Sequence, residues 1–87
     1  MANYIVVYTI SDDQNRAQFA NELEDLGLNE TVDQSTKFGF YNAKKDALIL
    51  KLRTLRISCN LLKGDTVFLF YGTEESFNNL TIKKEVI

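Results

Sequence analysis

Within the nine residues Tyr8-Thr9-Ile10-Ser11-Asp12-Asp13-Gln14-Asn15-Arg16 the chain gathers three hydroxyls, two adjacent carboxylates and a guanidinium. A β-branched, aromatic run leads into this segment and a helical pattern leaves it, so it reads as a strand exit opening a helix. Sheet proteins commonly hold their chemistry at such exits. Two uses of the acids compete. Asp12 and Asp13 could ligate a hard divalent cation through oxygen, or they could cap the positive end of the helix. Capping is the commoner use, and Ser11 with Gln14 three residues on has the spacing of a capping box.

Other chemistries are closed by composition. The chain has no His and no Trp, which excludes a Ser-His-Asp triad, a Cys-His nucleophile pair and a histidine zinc site. Cys59 is the single cysteine; without a second thiol there is no intrachain disulfide, and a buried structural thiol is expected. The first residues, Met1-Ala2-Asn3, carry no basic side chain and the apolar runs are strand-length, so neither a signal peptide nor a membrane span is expected. A cytoplasmic location is the expectation, and no metal or other cofactor is called for.

Charge is polarised along the chain. Residues 1–36 hold seven acids against Arg16 alone, whereas residues 37–87 hold nine bases against five acids. The densest basic stretch, Lys37 to Lys63, is opposed only by Asp46. Arg16, Lys44, Lys45, Lys51 and Arg53 are the candidate nucleic-acid-binding residues; the bland alternative is a solvated basic helix beside an acidic one.

The elements that must position these residues follow from periodicity. Asn3 to Ile10 is apolar on both faces, which predicts a central strand covered on both sides. Phe19, Ala20, Leu23 and Leu26 recur at helical spacing and Gly27 supplies a stop, giving a helix over about 12–26. Leu28 to Val32 and Thr36 to Tyr41 read as strands joined by the turn Asp33-Gln34-Ser35. Asn42 is placed to cap a second helix whose buried stripe is Leu48, Leu52 and Leu55. Gly64-Asp65 is a turn, Thr66 to Tyr71 a strand, and Leu80 to Val86 a short fifth strand or an ordered tail. A β-α-β-β-α-β order predicts one α+β domain over 1–87, a ferredoxin-like sandwich with the helices on one face. At this length only about 60% of the unfolded surface is buried on folding. With no proline in the chain, the edge strands stay open to pairing.

These residues resemble a known family, the small CRISPR-associated proteins that pair with the spacer integrase, some of them metal-dependent nucleases. The resemblance is carried by Tyr8-Thr9-Ile10-Ser11 with Asp12-Asp13 and Arg16, by Gln34, Thr36 and Phe38, and by Gly64-Asp65 before Val67 to Tyr71. It covers roughly residues 3–72. In that family an Asp ends the first strand and, from two subunits, is thought to hold a divalent ion. Thr9 stands there instead, and a neutral hydroxyl is a poor ligand for Mg²⁺. The resemblance therefore implies a degenerate, non-catalytic member without a metal, acting as a scaffold or nucleic-acid-binding homodimer. Its partner would be nucleic acid or an integrase-like protein. It also implies a dimer whose sheets face each other, with Ile5, Val7, Thr9, Phe38 and Phe68 at the interface. Two alternatives stay open. Lys37-Phe38-Gly39-Phe40 is similar to the aromatic motif of the RNA recognition module, which shares the element order, although a sequence pI near 5.0 opposes phosphate binding. A metal-dependent endonuclease using Asp12, Asp13 or Asp65 is the enzymatic alternative.

Overall fold

Six consecutive residues of high β-propensity, Tyr4 to Thr9, follow Asn3 to form β1 (Asn3–Thr9) at the middle of the sheet. It pairs antiparallel with β3 (Thr36–Phe40) on one side and β4 (Thr66–Gly72) on the other. Outside these lie β2 (Glu30–Asp33) and β5 (Lys83–Val86), completing a five-stranded antiparallel sheet in the order β2-β3-β1-β4-β5. The computed structural model describes residues 3–33, 35–40, 44–79 and 81–87; the side chains of Asn3, Val32, Phe38, Phe40 and Glu74 are outside that description.

Two longer helices cover one face of this sheet. From α1 (Asp13–Asp25) Phe19 and Leu23 are buried, and from α2 (Lys45–Ser58) Leu48, Ile49, Leu52 and Leu55. They join Tyr4, Val6 and Tyr8 of β1 and Val67 and Leu69 of β4 in a single core, where Tyr8 meets the Phe19 ring edge-on at 5.2 Å. Since strand residues alternate between faces, Ile5, Val7, Phe68 and Phe70 fall on the opposite face, where they are half-buried. The double-sided apolar pattern of β1 thus has one wall formed by the two long helices and one wall that they leave uncovered.

Helix boundaries follow the local chemistry. Asp12, rather than Ser11, is the N-cap of α1: its carboxylate accepts from the Asn15 N–H at 2.9 Å. Gly27 ends the helix with φ 102°, the left-handed conformation that glycine adopts without strain. The Gly27 carbonyl then presses on Gly39 of β3, where an added Cβ would sit 2.5 Å from that oxygen. Leu28, expected inside β2, is instead a buried plug whose N–H donates to the Leu23 carbonyl; the strand begins two residues later. Asn42, expected to cap α2, lies outside the described residues, and the observed N-cap position is Lys44, which makes no side-chain cap bond.

One element was not foreseen. Residues Glu74–Asn78 form α3, five residues long, with the Thr73 hydroxyl accepting from the Ser76 N–H. So short a turn leaves no apolar period to detect. A Cβ on Gly72 would lie 2.9 Å from Ser76 Cβ and 3.3 Å from Ile82 Cγ2, so α3 closes one end of the Phe68–Phe70 face. β5 does form, as the alternation from Leu80 onward suggested, but over only four residues.

Candidate functional site

Where β1 ends, Tyr8, Thr9, Ile10, Arg16 and Ser35 line a recess of about 280 Å³. β1 delivers Thr9, which is exposed, while the first turn of α1 delivers Arg16 and the β2–β3 turn delivers Ser35, whose carbonyl accepts the Tyr8 N–H at 2.8 Å. Thr9 and Arg16 come from one sequence segment, whereas Ser35 arrives only through strand pairing. Beneath it the Tyr8 side chain is 1% exposed, and its hydroxyl has no hydrogen-bond partner among the described residues. Burial, reinforced by the Asp33 carboxylate, pushes this phenol above its ordinary range.

Each acid of the segment is already engaged. Asp12 caps α1, and Asp13 holds the Arg16 guanidinium at 2.7 Å. Asp33 accepts from the Ser35 N–H and hydroxyl at 2.8 and 3.0 Å, which lowers its carboxyl below the usual range. Among the described residues no three His, Cys, Asp or Glu side chains converge so as to hold a metal ion.

Asp65, weighed as a metal ligand, is a buried structural acceptor. Its Oδ2 takes the Leu62 N–H at 2.8 Å, and its Oδ1 takes the Ser11 N–H and hydroxyl at 3.1 and 3.2 Å. The Leu62 and Ser11 N–H groups hold its carboxyl below the ordinary value. Arg56 completes the corner by donating to the Asp65 carbonyl at 2.6 Å and the Leu62 carbonyl at 3.2 Å. Gly64-Asp65 was legible as a turn; nothing in its spacing revealed that Ser11 would be its partner.

The basic residues do not form one patch. Lys37 is taken out of the surface: its ammonium lies 2.6 Å from both Glu24 Oε1 and Thr31 Oγ1, and the side chain is 5% exposed. Arg16 stands at the Thr9 end of β1, whereas Lys45 sits 5.1 Å over the Tyr71 ring, beside Tyr4 near the other end. Lys51 and Arg53 are exposed but two residues apart, which turns them to opposite flanks of α2. Lys44 is exposed before the first turn. Cys59 is buried, and burial raises its thiol pKa, so it is an inert core residue.

The most extended feature is the sheet face away from α1 and α2, which α3 meets only at one end. Register sets Ile5 beside Phe70, Val7 beside Phe68, and Thr9 beside Thr66. Phe38 takes the backbone position across from both Ile5 and Glu30. At the β5 edge Lys84 spans the Phe68 ring at 5.4 Å and Val86 is 61% exposed. At the β2 edge Thr31 faces the helices through Lys37, so Glu30, exposed, turns to the open side. The face is therefore apolar at its centre, with one cation and one anion at opposite borders. No helix is long and apolar enough to cross a membrane among the described residues.

A comparison with protein-family models finds no match, and a comparison with curated proteins finds none either.

Proposed function

We propose that this chain is a non-catalytic homodimeric scaffold or nucleic-acid-binding protein of ferredoxin-like fold, similar to the CRISPR adaptation subunit. The single observation that carries the reading is the apolar sheet face of Ile5, Val7, Phe68 and Phe70, which lies away from α1 and α2 and meets only the short α3 at one end. A monomer would leave this continuous surface wet, and covering several hundred Å² of it at about 25 cal/mol per Å² offsets the loss of translational freedom on association. Strand order β2-β3-β1-β4 with both long helices feeding one core supports the ferredoxin-like assignment.

A second copy is the occupant that the charges favour. If the two-fold axis runs parallel to the strands, the β5 border of one copy faces the β2 border of the other. Lys84 then meets the partner's Glu30, twice per dimer. Rotation about the perpendicular axis would set like borders together and lose both pairs.

The absence of turnover rests on the recess at Thr9, where a hydroxyl takes the position of the family's carboxylate and the neighbouring acids are spent on Asn15, Arg16 and Ser35. The RNA-recognition reading is weaker: Lys37 is withdrawn into an ion pair, and Lys84 is the single described cation found on the open face. Light scattering at about 10 µM chain tests the proposal. A dimeric mass that falls to the monomer in Val7→Asp and Phe68→Asp supports it, and a monomeric wild type overturns it.

A further inference from the structure

The solvent side of α2 carries a second apolar stripe that neither the core nor the sheet face uses. Leu50 is 67% and Ile57 79% exposed, high values for large aliphatic side chains on a helix whose other face is closed into the core. With Ala47 and Thr54, both exposed, they recur at steps of three, four and three residues, the a/d seam of a coiled coil. The Thr54 hydroxyl already donates to the Leu50 carbonyl at 3.0 Å, so its methyl is offered to a partner without stranding a donor. Lys51 borders the seam on one side and Arg53 on the other, in the positions that set partner choice. Neither has a carboxylate partner among the described residues, while Asp46 lies 3.6 Å from the Lys45 ammonium.

We infer that this face docks an amphipathic helix of another polypeptide, one whose apolar stripe is bordered by carboxylates. Charge complementarity chooses the occupant. Two copies of α2 packed together would double the uncompensated charge of Lys51 and Arg53 at close range. The α1 helix of a second copy has no apolar stripe to offer, since its exposed residues are Ala17, Gln18, Asn21, Glu24 and Asp25 among others. From Ala47 to Ile57 the seam is only about 15 Å long at 1.5 Å per residue, so the contact is a weak, exchanging one. The surface lies on the far side of the helix layer from the sheet face and leaves the proposed dimer intact.

The test uses the full chain and a synthetic 21-residue helical peptide with Leu at its a and d positions and Glu at its e and g positions, followed by fluorescence anisotropy at two salt concentrations. Expected are saturable, salt-weakened binding and an at least tenfold loss in Leu50→Gln and Ile57→Gln. The double variant Lys51→Glu/Arg53→Glu is expected to prefer the same peptide carrying Lys in place of Glu. Equal binding of the acidic and basic peptides by the unaltered chain overturns the inference, as does undiminished binding by Leu50→Gln. A mass that halves in Ile57→Gln but not in Phe68→Asp identifies a second copy as the occupant and overturns it too. Circular dichroism melts of each variant guard against unfolding, and because both side chains are exposed, a large loss of stability would itself contradict the free seam.

Discussion

Asp65 and Ser11, 54 positions apart, are joined twice, the Ser11 N–H and hydroxyl both donating to Asp65 Oδ1. Through this pair the exit of β1 is fastened to the loop that enters β4, and the neighbouring Asn15 amide, donating to the Asn60 carbonyl at 3.1 Å, ties α1 to the end of α2. The corner beside the recess is a set of satisfied hydrogen bonds rather than a loose loop.

Replacing Asp65 by Ala strands the Leu62 and Ser11 N–H groups, and the melting temperature is expected to fall by roughly 5–10 °C for a domain of this size. The pH dependence has a definite sign. The folded carboxyl pKa of Asp65, like that of Asp33, is depressed, so its contribution is present above the unfolded value of about 3.9 and is lost as pH falls through the folded value. Melts from pH 7 to pH 2 should therefore show an acid limb below about pH 4 that is shallower in Asp65→Asn.

Gly39→Ala drives a methyl into the Gly27 carbonyl, 2.5 Å away, and the Leu28 Cα, 2.9 Å away. Both neighbours are backbone and cannot rotate aside, so a cost of about 2–3 kcal/mol is expected in urea unfolding. Gly64→Ala, whose Cβ meets nothing within 4 Å, should stay within about 0.5 kcal/mol of the unaltered chain. Equal effects would contradict the close approach.

Glu24 and Lys37 separate charge from shape. Glu24→Gln leaves a buried ammonium with neutral acceptors, Thr31 and an amide oxygen, in place of a carboxylate, at about 1–2 kcal/mol because Glu24 is itself 46% exposed and water can assist. Lys37→Met, which removes the buried charge and keeps the length, is expected to cost less than Glu24→Gln. The reverse order in chemical denaturation would show that the pair is a net stabiliser.

Charge at the borders of the open face tests the two-fold arrangement. Glu30→Lys should weaken the proposed dimer about tenfold, and adding Lys84→Glu should restore most of it, as read by sedimentation at graded concentrations. If the second change fails to rescue the first, the sheets are not stacked with the axis along the strands.

Thr9→Asp places a carboxylate at the recess. In a face-to-face dimer it is expected to lower stability without metal by like-charge repulsion and to regain it in millimolar Mn²⁺, while the unaltered chain neither shifts with Mn²⁺ nor cleaves RNA or DNA. Metal-dependent cleavage by the unaltered chain that vanishes in Asp13→Ala would reverse the non-catalytic reading.

Local pattern alone determined the α+β class, the two long helices, the central place of β1 and the strand-exit segment, because side-chain period and turn chemistry are properties of neighbours along the chain. The same logic extended β2 back over Leu28, since an apolar residue before a strand looks the same whether it pairs or plugs a core. It also passed over α3, which is too short to have a period. What tertiary structure decided was pairing at a distance: that Asp65 serves Ser11 instead of a cation, that Lys37 is spent on Glu24, and that the basic residues are scattered. It also decided which face of β1 the helices leave open. A carboxylate or an ammonium carries no mark in the sequence of the donor or acceptor it will meet, because that partner is chosen by strand register and helix packing dozens of residues away.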